Sequence, residues 1–104
     1  MNTVLTIGVS DCSGGAGIQA DLKAFTVLGC YGMAVVTAVT ARNTSGAVGG
    51  ANKGIQTVAE EVVASQMEAI AQDLPVGALK TGFLGSPAMM DAVAECIRQH
   101  ELDQ

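Results

Sequence analysis

"VLTIGVS" (residues 4–10) runs directly into "SDCSGGAGIQAD" (residues 10–21), and the joint between them decides the fold. The first piece is short, apolar and rich in β-branched residues, which reads as a strand buried on both faces. The second packs a carboxylate, a thiol, three glycines and another carboxylate together before turning helical. Ile18, Leu22, Phe25 and Leu28 then recur at helical spacing, and Gly29 supplies a C-terminal stop. "MAVVTAVTA" (33–41) is a second buried strand, closing one strand–helix–strand unit.

Outward from that unit the alternation continues. "TVAEEVVASQMEAIAQDL" (57–74) places Ala59, Val63, Met67, Ile70 and Leu74 along one stripe, Thr57 and Glu60 make a capping-box pattern, and Pro75 closes the helix. "VGALKTGF" (76–83) is a weaker third strand, and Ser86 with Pro87 opens a third helix as N-cap and first helical residue. "NTSGAVGGANKG" (43–54) is too rich in small and polar residues to pack and reads as a mobile loop or a marginal hairpin near the mouth of the sheet. Three strands alternating with three helices predict an α/β fold, a parallel sheet with helices on both faces.

The chain has 104 residues, room for one core only. Its hydrophobic fraction of 49% and charged fraction of 14% are more apolar than so short a chain needs to cover itself, so residues 1–104 read as a single partial domain of something larger. No apolar run reaches the roughly 18 residues of a membrane span, and the start carries no basic flank of a secretory signal, so a cytoplasmic protein with no membrane partner is expected. Cys12, Cys30 and Cys96 are odd in number and widely spaced, which suggests neither a disulfide framework nor a zinc site. A net charge of −5 with 3% aromatic residues argues against nucleic acid as a partner.

In open α/β sheets ligands bind beyond the carboxyl ends of the strands, where residues 10–17, 42–50 and 82–86 converge. "GAGIQA" (15–20) formally matches a dinucleotide fingerprint. However, "SDCSG" separates the glycines from the strand, and the second strand ends in Arg42 and Asn43 rather than an acid. No Gly-Lys-Ser/Thr follows the glycines, which excludes a P-loop.

The whole stretch instead resembles the hydroxymethylpyrimidine and phosphomethylpyrimidine kinases of thiamine biosynthesis, within the ribokinase-like superfamily. "LTIGVSDCSGGAGIQADLKAFTVLGCYGMAVVTAVTARNT" and "ALKTGFLGSP" stand in that family's order, and "SD-x-SGGAGIQADLK" is shared with the similar pyridoxal kinases. The resemblance implies a three-layer ribokinase-like sheet cut off after its third strand–helix unit. It also implies phosphoryl transfer from ATP with Mg2+ to a small hydroxymethyl heterocycle. Gly14, Gly15 and Gly17 would let a flat ring approach the backbone at the helix start. Asp21 matches the family's substrate-bonding carboxylate, with complementing the helix dipole as the alternative. Asp11 either borders the same pocket or caps a turn.

Three positions depart from the family pattern. Val9 stands at a glycine position, Arg42 where the family has a glutamine, and Phe83 where it has a methionine. A guanidinium only donates, so Arg42 either meets an anion or carbonyl on the ligand or points into solvent. Phe83 either stacks on an aromatic ligand or fills the core. Lys80 is a further candidate, as a phosphate ligand or as a lysine that snorkels at a strand end. His100 reads as an exposed bystander, and Met89 with Met90 as helix packing. The family's ATP site and catalytic base lie in its C-terminal half, so no residue of this chain is assigned catalysis, no metal ligand is assigned, and no kinase activity is expected of it alone. A homo-oligomer or a missing C-terminal half is the expected partner. A non-catalytic binding or assembly module and a pyridoxal kinase-like fragment stand as alternatives.

Overall fold

The computed structural model describes residues 2–43, 46–47 and 54–102, with the short strands at 42–43 and 46–47 described by their backbone. Strand β1 (Thr3–Asp11) leads into helix α1 (Gly17–Val27), strand β2 (Tyr31–Thr40), the two-residue strands β3 (Arg42–Asn43) and β4 (Gly46–Ala47), and strand β5 (Ile55–Thr57). Helix α2 (Glu60–Ala71), strand β6 (Ala78–Thr81) and helix α3 (Pro87–Gln99) complete the order. The α/β architecture with helices on both faces is as the alternation predicts.

The main sheet has four strands in the order β5-β2-β1-β6. β1 runs parallel to β2 on one side and to β6 on the other, with Thr6 opposite both Ala34 and Lys80. One correction concerns β5, which pairs antiparallel with β2 and makes the sheet mixed rather than all parallel. After β2 the chain comes back along that strand's outer edge with no intervening helix. Thr57 therefore opposes Ala38 in the ladder instead of capping a helix, and α2 starts at Glu60 behind Ala59, which makes no side-chain cap. The backbone of β3 and β4 forms a small antiparallel pair, which fits a marginal hairpin over 42–47. The remainder of the 43–54 reading, at 44–45 and 48–53, lies outside the described residues.

Strand alternation assigns the two faces. Leu5, Ile7 and Val35 point to one side, where they are fully buried against Val63 and Met67 of α2 and Met89 and Val93 of α3. Each such side chain contributes roughly 1.5–3 kcal/mol by leaving water. The other side carries α1. Gly32 makes room for it, since a β-carbon there would lie 2.8 Å from Leu22 and 3.1 Å from Phe25. Leu28 lies past that hollow and is exposed, so the apolar stripe of α1 ends at Phe25. Met89 is core whereas Met90 is exposed.

The outer edge of β2 is satisfied in three ways in succession. Ala38 to Thr40 pair with β5, the carbonyl of Thr37 accepts from Val58 N–H at 2.9 Å, and Val36 is served by a side chain. Gln66 of α2 accepts from Val36 N–H and donates to Val36 C=O, both at 2.9 Å. One amide thus replaces a neighbouring strand beside the irregularity where Gly8 opposes Val36 and Val9 opposes Ala38.

Candidate functional site

The turn after β1 is built by Asp11. Its carboxylate accepts from Ser13 N–H at 3.0 Å and from Ser13 Oγ at 2.8 and 3.0 Å, while its carbonyl accepts from Gly14 N–H at 3.0 Å. A short acid bonding its own backbone two residues on is a standard way to reverse a chain. Gly14 and Gly17 take left-handed backbone with φ of +78° and +65°. At Gly17 a β-carbon would also stand 2.4 Å from the carbonyl oxygen of Val9, so only glycine lets α1 start this close to β1.

Two further side chains secure the joint, and neither was singled out from the sequence. Gln19 accepts from Asp11 N–H at 2.8 Å and donates to Ser10 Oγ at 2.6 Å. Lys23 reaches back to the Gly14 carbonyl at 3.0 Å. The end of the strand and the start of the helix are therefore held as one piece, with Ile18 and Asp21 on the helix face that looks over the sheet.

A cavity of about 570 Å³ opens there. Gly8 and Val9 of β1 and Gly17 and Ile18 of α1 form one wall, and Ala38, Thr40, Ile55 and Thr57 another. Residues Gly82 to Ser86 close the side toward α3. This is the position where the sheet's connections diverge, since the chain leaves β1 toward β2 and returns to β6 on β1's other side. The size suits a single substituted ring.

Among the described residues that line the cavity, the charged groups are Asp21 and Lys80. Lys80 Nζ lies 2.7 and 2.8 Å from the two Asp21 oxygens, and Thr6 Oγ1 donates to Asp21 Oδ2 at 2.7 Å. Register explains the meeting. Thr6 and Lys80 are directly opposite on adjacent strands, on the face that α1 covers. Burial pushes the Asp21 carboxyl up, but the bonds from Lys80 and Thr6 and the lysine's charge outweigh it and hold the group below its ordinary value.

Of the residues expected to bind ligand, Gly17, Asp21 and Phe83 line the cavity. Asp11, Gly14 and Gly15 lie in the supporting turn, apart from the lining. Asp11 caps that turn, the second of its two readings. Asp21 sits beyond the first turn of α1, which holds no acidic residue, so it pairs with Lys80 instead of complementing the helix start. Phe83 is 71% exposed, which removes core filling as its role and leaves it at the rim. Arg42 pairs through its backbone with Ala47, and its side chain is outside the described residues. Val9, at the position where the family has glycine, adds its bulk to the wall. Lys80, read in the sequence as a phosphate ligand or a snorkelling strand-end lysine, instead pairs with Asp21, a partner that local pattern did not disclose.

The sequence model described as phosphomethylpyrimidine kinase matches residues 11–104. The chain is 44% identical over 95 residues to the hydroxymethylpyrimidine/phosphomethylpyrimidine kinase of Rhizobium meliloti, covering 91% of this chain and 34% of that one. It is also 44% identical over 96 residues to a probable thiamine biosynthetic bifunctional enzyme of Oryza sativa, covering 92% of this chain and 17% of that one. The fold superimposes on a phosphomethylpyrimidine kinase from Clostridium difficile with a TM-score of 0.88 at 40% identity, over 97% of this chain and 42% of that one. A pyridoxal kinase from Staphylococcus aureus, solved with AMP-PCP and pyridoxal, matches with a TM-score of 0.76 at 32% identity, over 95% of this chain and 35% of that one. The chain therefore spans between about a sixth and about two fifths of the lengths of these relatives.

Proposed function

The chain belongs to the phosphomethylpyrimidine kinase family, and from that premise we propose that residues 1–104 are the N-terminal, substrate-side part of a kinase transferring phosphate from ATP to a hydroxymethyl group on a small heterocycle. The observation that carries this reading is the cavity of about 570 Å³ at the sheet's switch point, apolar in its walls and furnished with one ion pair. An apolar slot with few polar groups binds a flat ring by excluding water from its faces and orienting its edge. Gly17 and Phe83 are the residues proposed to meet the ring's faces, and Asp21 its edge. The turn built by Asp11, Gly14 and Gly15 supports the floor from behind.

In this reading the ATP and Mg2+ of the reaction are assigned no residue of this chain. Among the described residues no three His, Cys, Asp or Glu side chains come together as a metal group. Lys23 and Lys80 are engaged with the Gly14 carbonyl and Asp21. In this reading the chain's contribution is to bind the acceptor and hold its hydroxymethyl group in place. Among the described residues β6 is paired on one side only, which supports a second copy or the rest of the kinase as the partner that extends the sheet. Likewise among the described residues, no helix is long and apolar enough to cross a membrane.

Calorimetry of the pure chain with hydroxymethylpyrimidine tests the reading. Saturable one-to-one binding is expected, weakened by Phe83→Ala, whose exposure keeps folding out of the result. No ATP-dependent turnover is expected from the chain alone. Wild-type protein that binds no hydroxymethylpyrimidine would refute the assignment. A pyridoxal-type ring is the second reading, favoured by the likeness to a pyridoxal kinase solved with pyridoxal, and the same titration with pyridoxal ranks the two.

A further inference from the structure

Strand β2 has one residue more than β1 can pair. Gly8 opposes Val36 and Val9 opposes Ala38, which leaves Thr37 unmatched in a β-bulge, a feature uncommon between parallel strands. The bulge changes the phase of the strand. Alternation counted from Val35, a core residue, would turn Val39 toward the core side and Ala38 and Thr40 away from it. Instead Ala38 and Thr40 are buried and Val39 is 51% exposed. β5 follows the new phase, because Thr57 stands opposite Ala38 and Ile55 opposite Thr40. All four of these residues line the cavity.

Thr37 does not secure the bulge by itself. It is fully buried, and its hydroxyl has no hydrogen-bond partner among the described residues. The securing bonds come from its neighbours. Gln66 of α2 bonds the N–H and the carbonyl of Val36 just before the bulge, Val58 N–H donates to the Thr37 carbonyl at 2.9 Å, and Thr40 Oγ1 just after it donates to the Ser10 carbonyl at 2.8 Å. An irregular ladder and a buried unpaired hydroxyl are both local costs, and such departures concentrate where a side chain has to be re-aimed.

We infer that Gln66 is a positioning residue for the cavity: by holding Val36 it fixes where β2 bulges, and the bulge aims the wall formed by Ala38, Thr40, Ile55 and Thr57. This rests on the pocket reading above and gives that pocket a determinant of shape outside its own lining. Each of the three holds has a share. Regular pairing onward from Val36 would match Thr37 with Val9 and Val39 with Asp11, putting Val39 where Thr40 stands and breaking the bonds of Val58 and Thr40. Those two bonds oppose a slip after the bulge. Gln66 opposes a displacement before it, and does so from a side chain that is no part of the wall.

The test follows the full chain by two readouts. Amide resonances of Ala38, Thr40, Ile55 and Thr57 report the wall without ligand, and calorimetry with hydroxymethylpyrimidine reports its fit. Gln66→Leu should shift all four resonances and bind at least about tenfold more weakly, the scale on which a displaced supporting wall is felt. Gln66 is partly exposed, so Gln66→Glu should fold, keep an acceptor for Val36 N–H and move both readouts the same way by less. Val93→Ala, a cut in the core on α3, should lower stability yet leave the four resonances and the affinity near their wild-type values. Folded Gln66→Leu or Gln66→Glu protein with unmoved wall resonances or wild-type affinity would overturn the inference, as would Val93→Ala protein that shifts the wall equally. Wild type that binds no hydroxymethylpyrimidine would remove the pocket reading, while the resonances would still decide whether Gln66 aims the wall.

Discussion

Alanine substitutions at the three glycines of the turn between β1 and α1 should differ in cost by several kcal/mol, although the three stand within four residues of one another. Gly17→Ala incurs two penalties. Its φ of +65° is left-handed, worth about 1–2 kcal/mol for a residue with a side chain. Its new β-carbon would also sit 2.4 Å from the carbonyl oxygen of Val9, which is backbone and can yield only if β1 or α1 moves. Such forced shifts cost a further 1–3 kcal/mol or so, giving about 2–5 kcal/mol in total. Gly14→Ala bears the φ penalty at +78°, but the atom it meets at 2.8 Å is the far end of Lys23, which can swing away, so about 1–2 kcal/mol is expected. Gly15 has no positive φ, and a β-carbon there finds only Ser13 Oγ at 3.6 Å. Gly15→Ala should be neutral or stabilise by up to about 1 kcal/mol through the unfolded chain. Urea midpoints at constant slope give the three values, and the melting temperature should fall by about ten degrees or more for Gly17→Ala. A Gly17→Ala protein as stable as wild type, or Gly15→Ala as damaging as Gly17→Ala, would refute the account of the turn as a close packing of helix on strand.

Gln66→Leu leaves both backbone groups of Val36 without their described partner and should cost about 1–3 kcal/mol in the same urea assay, so a neutral result would show that water replaces the amide there. The folded Asp21 carboxyl is held low, so its contribution to stability is present above its unfolded pKa of about 3.9 and is lost as pH falls from there through the folded value. The stability gap between wild type and Lys80→Met should accordingly be full at neutral pH and close as the solution is acidified, and a gap that widens in acid would reverse the assigned sign. Cys12 is exposed, whereas Cys96 is buried in the core with its thiol pushed up by burial and by Glu95. Iodoacetamide should label Cys12 in the native chain and Cys96 only after denaturant is added, as followed by mass spectrometry; equal labelling rates would contradict the packing of α3.

Most of the fold was legible because its signals are local. β1, α1, β2, α2 and α3 announce themselves by apolar runs, helical stripes and the Ser86–Pro87 start, where the Ser86 hydroxyl accepts from Met89 N–H at 3.1 Å. β5 was not legible, and for a reason that no window of sequence can repair. Ile55, Gln56 and Thr57 are all exposed, so they show no buried alternation, and they form a strand only because β2 has a free edge some fifteen residues earlier in the chain. The same distant pairing overrode the capping-box pattern at Thr57. Leu28 fails in the opposite sense: its spacing is right for the stripe, but Leu22 and Phe25 already fill the hollow over Gly32, and what lies beyond it is solvent.

The site divides along the same line between local and non-local information. Its location follows from chain order alone, because a chain that steps outward from β1 to β2 and then returns to the other side of β1 sends α1 to one face and α2 and α3 to the other, and a crevice must open between them. Its floor follows from the glycines, which are useful only where helix and strand nearly touch. Its polar chemistry does not follow from either. Lys80 reads as a phosphate ligand or a snorkelling lysine until the register sets it opposite Thr6, and Asp21, singled out by resemblance to a substrate-bonding carboxylate, shows its lysine partner only when α1 is laid over that pair. A slip of β6 by one residue would turn Lys80 to the core face and bring Leu79 under Asp21, leaving the carboxylate without its cation and a charge among Val63, Met67 and Met89. The ion pair is thus both a feature of the cavity and a check on strand register, and these two roles place it under a common constraint: any change that removes the lysine's charge alters the ligand-facing edge and weakens the discrimination against the slipped pairing.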